Sequence, residues 1–289
     1  MTASSRQWSV VSKNVGCFAL SAMLFALSSI AHAQQAKKVP KIGYLTNSSL
    51  SAASARIEAF RQGLRDLHYV EGQNISIEWR AADEVAERLS NLAAELVQLK
   101  VDVIFTQGTQ ATQAAKNATQ TIAIVMTGVT NPVGTGLVAS LAHPGGNVTG
   151  LSNLYEDVGG KQLELLKEAF PKISRVAVLW DPSNAGNVSW LEDMKVSAGA
   201  LGIKLQPVEL HGSSDIEPAF LAIEKQRLSG LSVLGNGPTN TNRTRIVELA
   251  AKSKLPVIYS NREFVDTGGL MSYGPNPTDS YRPCRHIRG

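Results

Sequence analysis

The chain has 289 residues, of which 43% are hydrophobic and 18% are charged. This composition supports a buried core and excludes a disordered or low-complexity chain, and the length suits two lobes of ordinary domain size. The formal net charge of +4 comes without a run of basic residues, so the clustered positive charge of a nucleic-acid-binding protein is absent.

The first segment has the features of a secretory signal peptide. Arg6 and Lys13 precede an apolar stretch at 15–30, and a small-x-small cleavage site ends at Ala33. The stretch is short and rich in small residues, which disfavours a stable membrane span. The alternative is an N-terminal anchor that is never cut. We predict cleavage after Ala33, a mature chain that begins at Gln34, and a location in the periplasm.

The two cysteines are not expected to form a disulfide. Cys17 lies before the apolar stretch instead of after it, so it does not fit a lipoprotein signal, and cleavage removes it. Cys284 is then the single thiol, and the fold must be stable without an intramolecular disulfide.

From residue 41 onward, strand patterns alternate with helical patterns in two successive series. The first series predicts strands at 41–46, 74–79, 101–106, 122–127 and 147–151, with helices near 57–67, 85–99 and 110–117. The second predicts helices near 160–170, 189–201, 215–227 and 241–252, with strands at 175–180, 204–210, 231–234, 256–260 and 270–273.

Strands separated by helices indicate right-handed crossovers and parallel sheets that are covered on both faces. We therefore predict an α/β protein with two similar doubly wound parallel-sheet lobes joined by a hinge. The predicted divisions are a signal peptide at 1–33, an N-terminal lobe at 34–153, a C-terminal lobe at 154–276 and an irregular tail at 277–289.

Polar segments follow most of the predicted strands, at the edge of a parallel sheet where ligands bind. Several of them lead into helices, whose first N–H groups and dipole favour carboxylates or phosphates. The alternative for each segment is that its Ser, Thr or Asn side chain merely caps a helix. The candidate ligand-binding residues are Asn47, Ser48, Gly108, Thr109, Gln110, Asn131, Asp181, Asn184, Asn236, Thr239 and Glu263.

The sequence carries no assembled catalytic or metal-binding motif, so we expect no enzyme activity, cofactor or metal. The histidines of the mature chain lack a second ligand at metal spacing, and Cys284 has no base near it in sequence. The segment 159–161 is followed by Gln162, where a phosphate loop needs Ser or Thr. The G-x-G-x-x-A pattern at 134–139 follows the fourth strand instead of the first, and we interpret it as a turn and a helix start.

Several motifs, in one order, carry a resemblance to a known family. They are 108–111 (GTQA), 131–138 (NPVGTGLV), 143–150 (HPGGNVTG), 175–184 (RVAVLWDPSN), 262–265 (REFV) and 268–274 (GGLMSYG). Over about 41–276 the chain resembles the substrate-binding proteins of bacterial ABC importers, in the branch with tryptophan- and other aromatic-amino-acid-binding members. The resemblance implies a type I periplasmic binding fold, with two lobes, a hinge and a solute trapped between the lobes.

The chain departs from this family at two site positions and at its end. Asn131 stands where many relatives have Asp, and Gln110 where a small residue or Pro is common. Relatives continue with a helix that crosses back to the first lobe, whereas Pro283 stands in that segment here. We therefore expect a truncated or frameshifted C-terminus and low stability.

The leading hypothesis is a non-enzymatic periplasmic receptor for a small carboxylate-bearing solute, such as an amino acid or a small aromatic acid. Its expected partners are that solute and the membrane subunits of an ABC permease, without nucleic acid, and the protein is expected to be a monomer. The alternatives are a periplasmic sensor that serves a membrane receptor and an α/β enzyme. Repressors of the lactose type share the fold, but here a leader occupies the position of their DNA-binding segment.

Overall fold

A computed structural model describes residues 38–153 and 158–276. The predicted leader at 1–33 and the predicted tail at 277–289 lie outside these residues, and the lobe boundary proposed at 153/154 adjoins the gap, so all three stay predictions. The described residues from Pro40 to Asn276 belong to one compact unit. None of the helices in the described part of the chain has the length and apolarity that a membrane span requires.

The first lobe is built on a parallel sheet with the strand order β2-β1-β3-β4-β5. Its elements are β1 (Lys41–Thr46), α1 (Ser54–Asp66), β2 (Ser76–Ala81), α2 (Arg88–Gln98), β3 (Val103–Gln107), α3 (Thr109–Ala118), β4 (Ala123–Thr130) and β5 (Val148–Asn153). Successive side chains of a strand point to opposite faces. Tyr44 accordingly packs with Phe60 of α1, whereas Leu45 packs in a separate core with Leu92 and Leu96 of α2.

The second lobe repeats this plan in the order β7-β6-β8-β9-β10. Its elements are α4 (Val158–Ala169), β6 (Arg175–Trp180), α5 (Ala185–Ala200), β7 (Lys204–Glu209), α6 (Ile216–Lys225), β8 (Gly230–Val233), α7 (Gly237–Thr241), α8 (Arg243–Lys252), β9 (Val257–Tyr259), α9 (Arg262–Asp266) and β10 (Met271–Ser272). Val178 of β6 packs with Leu166 and Met194 on one face. Leu179 packs with Phe220 on the other.

The strand order determines where a solute can bind. In each lobe the first strand of the series lies between the second and the third, so the crossovers on its two sides run in opposite directions. The loops after β1 and β3, and those after β6 and β8, therefore diverge and leave a crevice at the carboxyl edge of each sheet. The predicted fold class, two doubly wound parallel-sheet lobes, is confirmed.

Local differences from the sequence-based prediction have identifiable causes. The segment 134–139 forms the predicted turn, but no helix follows it, because Gly136 has φ 71° and leaves the helical conformation. The helix predicted from residue 241 starts at Arg243, after the separate short helix α7. Val85 and Leu99 are 46% and 38% exposed, so the predicted stripe of α2 is shorter than its sequence pattern. Helix α9 was not predicted.

Candidate functional site

A cavity lies between the two lobes, at the carboxyl edges of both sheets. It is lined by Thr46, Asn47, Ser48, Arg56, Gln107, Gly108, Thr109, Gln110, Ala111, Thr127, Gly128 and Thr130 from the first lobe, and by Asn184, Asn187, Gly235, Asn236, Gly237, Asn240 and Asn261 from the second. Amide and hydroxyl side chains dominate this lining. Among the described residues Arg56 is the single charged one, and no aromatic side chain lines the cavity.

Two buried polar atoms of the first lobe are left without a hydrogen-bond partner in the described structure. They are Oδ1 of Asn47 and Oγ1 of Thr127, and the two residues are 6% and 2% exposed. The other end of the Asn47 amide is engaged, because Nδ2 donates to Oε1 of Gln110 over 2.8 Å. A buried polar atom without a partner is costly. Both residues line the cavity, so a solute with polar groups of its own would satisfy them.

The start of α3 faces the same cavity. Its N-cap residue, Gly108, has φ 87° and contributes no capping side chain. A glycine tolerates this left-handed backbone, which other residues rarely adopt. The first N–H groups of a helix have no carbonyl partner within the helix. Thr109 and Gln110, the first residues of α3, both line the cavity, which therefore adjoins the positive end of the helix dipole.

Two helix starts of the second lobe, those of α5 and α7, differ from the start of α3, because asparagine side chains cap them. Oδ1 of Asn184 accepts from the N–H of Gly186 over 2.9 Å at the start of α5. Asn236 and Thr239 form a reciprocal capping box at the start of α7. Asn187 connects the two starts, since its Oδ1 accepts from Nδ2 of Asn236 over 3.0 Å. The second lobe thus presents a rigid amide surface, whereas the start of α3 is still able to accept an anion.

Contacts between the lobes hold the cavity closed. Arg56 pairs with Glu263, and Nε2 of Gln110 donates to Oδ2 of Asp181 over 3.1 Å. Further cross-cleft hydrogen bonds join Asn131 to Ser189, Asn242 to Glu84, and Ser49 to Thr241. Helix α5 also packs on β4 and α3. The structure is therefore the closed form of the two lobes.

Seven of the eleven residues predicted for the site line the cavity. They are Asn47, Ser48, Gly108, Thr109, Gln110, Asn184 and Asn236. The other four lie beside the cavity and not in its described lining. Asn131 donates to Ser189, Asp181 accepts from Gln110, Thr239 belongs to the capping box, and Glu263 pairs with Arg56.

The polar segments predicted after the strands are 46–49, 107–110, 128–131, 181–184, 235–239 and 260–263. Five lining residues lie outside these segments: Arg56, Ala111, Thr127, Asn187 and Asn240. Ala111 and Asn187 lie one turn into helices whose starts were predicted as site loops. The sequence could have indicated Arg56 as a functional residue, since a charged residue four positions before Phe60 falls on the apolar face of α1.

The described part of the chain contains no group of three or more His, Cys, Asp or Glu side chains that could hold a metal ion. The described lining of the cavity consists mainly of residues with amide and hydroxyl side chains, beside the start of α3.

Comparisons with known proteins agree with this geometry. The family model for ABC transporter substrate binding proteins matches residues 41–280. A tyrosine-binding protein of Clostridioides difficile (strain R20291) is 30% identical over 217 residues, which are 75% of this chain and 62% of that protein. The chain thus spans less than two thirds of the length of this curated relative.

Two solved structures are also similar. A conserved domain protein from Vibrio cholerae matches with 30% identity and a TM-score of 0.79, over 84% of this chain and 81% of the other. The ABC domain of Streptococcus pneumoniae in complex with L-Trp matches with 24% identity and a TM-score of 0.76, over the same shares. At this identity, the similarity to the L-Trp complex shows a shared fold. More distant solute-binding structures have the same type I periplasmic binding fold as this chain.

Proposed function

The chain belongs to the ABC transporter substrate-binding protein family, and on this premise we propose that it binds a small carboxylate-bearing solute, an amino acid or a small aromatic acid, between its lobes. In this proposal the chain is located in the periplasm and delivers the solute to the membrane subunits of an ABC permease. The observation that carries the proposal is the pair of buried atoms without partners, Oδ1 of Asn47 and Oγ1 of Thr127, beside the uncapped start of α3.

The start of α3 is where we place the carboxylate. The N–H groups of Thr109 and Gln110 and the dipole of a ten-residue helix favour a negative group there, and this interaction does not require a charged side chain. Arg56 is a weaker choice for this role, because its guanidinium is already paired with Glu263.

The ammonium of an amino acid fits the other side of the cavity. Oδ1 of Asn47 is an acceptor without a donor in the described structure, and an ammonium supplies donors. The described lining contains no carboxylate, so a zwitterion, which carries no net charge, suits the cavity better than a free amine. The tyrosine-binding relative and the L-Trp complex support an amino acid as the class of solute.

Titration calorimetry with the twenty amino acids tests the binding proposal. For each amino acid that binds, the amine without the carboxylate and the acid without the amino group are titrated as well. Hydrogen bonds to charged groups contribute about 1.5–3 kcal/mol, so loss of the carboxylate is expected to weaken binding by about tenfold or more. The proposal is wrong if no amino acid or aromatic acid binds, or if the amine binds as tightly as its parent.

Delivery is tested separately by the uptake of labelled solute into cells with and without the chain. Loss of uptake supports the permease as the partner. Tight binding without any change in uptake would favour a sensor that reports the solute to a membrane receptor.

A further inference from the structure

A second cavity adjoins the solute cavity on the outer side of α3. Its volume is about 230 Å³, and its lining is mixed. Ala86, Leu89, Ala114 and Ala185 form an apolar part of the wall, and the other lining residues are polar. Thr109 and Gln110 line both cavities. Gln110 therefore lies at the boundary between a polar solute site and a second space whose wall is partly apolar.

Three hydrogen bonds fix the Gln110 side chain in this position. Its Oε1 accepts from Nδ2 of Asn47 over 2.8 Å, while its Nε2 donates to Oδ2 of Asp181 over 3.1 Å and to Oγ of Ser183 over 2.9 Å. Asp181 is itself held, because its Oδ1 accepts from both the N–H and the hydroxyl of Ser183. Asn47 belongs to the first lobe, whereas Asp181 and Ser183 belong to the second. The closed lobes therefore hold the Gln110 amide in one position.

We propose that Gln110 sets the upper size limit of the solute, and that the second cavity is a side-chain subsite for larger apolar amino acids once this amide is shortened or removed. The inference rests on the proposed function, which places the carboxylate of the solute at the start of α3. A side chain that extends from there past Gln110 reaches the second cavity and the apolar part of its wall, whereas one that stops before it remains among the amides. The native chain thus favours short or polar side chains over long apolar ones.

The experiment measures dissociation constants for alanine, serine, leucine and phenylalanine with the native chain and with Gln110→Ala. An added methylene in an apolar pocket is worth about tenfold or more. We therefore expect the affinity for phenylalanine relative to alanine to rise at least about tenfold in Gln110→Ala. Gln110→Asn, which is one methylene shorter, is expected to give a smaller rise and provides a second variant if the alanine variant does not fold.

Two further variants locate the effect. Gln120, an exposed residue just after α3, is in the described lining of neither cavity, so Gln120→Ala is expected to leave the ratio unchanged. Ser90 is an exposed residue of α2 in the wall of the second cavity. Adding Ser90→Phe to Gln110→Ala fills that space and is expected to cancel the gain for phenylalanine while alanine binds as before.

The possible results separate this inference from the proposed function. If no amino acid binds the native chain, the proposed function is wrong and the inference with it. If amino acids bind but the ratio is unchanged in both Gln110 variants, the inference alone is overturned. It is also overturned if Gln110→Ala and Gln110→Asn both lose all binding, since the Gln110 amide would then be required for binding itself, as a solute contact or as the link to Asp181 between the lobes. Failure of Ser90→Phe to cancel the gain would overturn it as well.

Discussion

Arg56 of the first lobe and Glu263 of the second form a two-point ion pair across the cleft. Nε and Nη2 of Arg56 donate to Oε1 and Oε2 of Glu263 over 3.0 and 2.6 Å, and the two side chains are 3% and 14% exposed. Arg243 lies 4.0 Å from the same carboxylate and donates to the carbonyl of Ala52 in the first lobe. Because the partners come from different lobes, this contact requires the closed arrangement.

Glu263→Gln is expected to weaken solute binding by about tenfold or more. Removal of one partner from a buried ion pair typically costs about 3–5 kcal/mol, because the other charge is left without compensation. Opening of the lobes returns Arg56 to water and relieves that cost, so the variant favours the open form. Titration calorimetry measures the affinity, and small-angle X-ray scattering should show a larger radius of gyration for the ligand-free variant.

Asp266→Asn is the matched control for this prediction. Asp266 lies on the same helix, α9, and its pair with Arg262 is exposed on both sides, so it contributes little to stability. Equal affinities in the two variants would show that the Arg56–Glu263 pair does not contribute to closure.

Gly186→Ala is expected to hinder closure by direct steric contact. A Cβ at Gly186 of α5 would lie 2.6 Å from Oγ1 of Thr109 and 2.9 Å from Cβ of Thr130, both in the first lobe. We expect solute affinity to fall by about tenfold or more, since the lobes can no longer approach fully. Gly199, on the same helix, has open space around its Cβ position. Gly199→Ala should therefore keep the native affinity and raise the melting temperature, and a similar affinity in both variants would contradict the closed geometry.

Thr109→Ala and Asn47→Ala are expected to weaken binding by about 0.5–1.5 kcal/mol each, because each removes a polar side-chain group from the cavity lining, while the N–H groups at the start of α3 stay in place. Titration calorimetry of the single variants measures the effect. Thr244 lies exposed on α8 and outside the cavity, so Thr244→Ala provides the control for a Thr-to-Ala change. Native affinity in both site variants would refute this placement of the solute.

The sequence predicted much of the site because one geometrical rule covers both lobes. All strands of each sheet are parallel, so the residues that follow β1, β3, β6 and β8 must meet at one edge. This rule was sufficient to find Asn47, Thr109 and Asn236 from the ends of apolar runs. It could not distinguish a solute contact from a helix cap, and the structure shows that Asn184 and Asn236 both act as caps.

Thr127 and Arg56 show why the remaining site residues were not predicted. The register of β4 against β5 shifts between Met126 and Val129, and Gly128 there has φ 63°. This irregularity places Thr127 in the cavity, although it was assigned to the end of a regular strand. The spacing of Arg56 from Phe60 places it on the apolar face of α1, but its ion pair with Glu263 joins the two lobes, and the pattern of a single lobe contains no information on that pairing.

Glu84 is the cross-cleft acidic group whose environment is expected to give a pH dependence. It lies in the first lobe, and its Oε1 accepts from Nδ2 of Asn242 in the second lobe over 2.9 Å. Burial raises the pKa of Glu84 above its ordinary value of 4.5, although hydrogen bonds from Asn242 and Thr241 act in the opposite direction. The folded state therefore holds the proton more tightly than the unfolded chain does.

Glu84→Gln is expected to stabilise the protein at neutral pH by an amount that depends on pH. Because the folded pKa is the higher one, this carboxyl makes the free energy of unfolding fall as pH rises from about 4.5 through the folded pKa. Glutamine resembles the protonated acid and still accepts from Asn242, so the variant lacks this loss. Denaturant unfolding of both chains between about pH 4.5 and pH 8 should show a difference in the free energy of unfolding that grows with pH and then levels off.

Glu87→Gln, at an exposed neighbouring glutamate, controls for the removed negative charge. A difference that is constant over this range would show that Glu84 titrates alike in the folded and unfolded chains, and that its contact with Asn242 does not respond to pH.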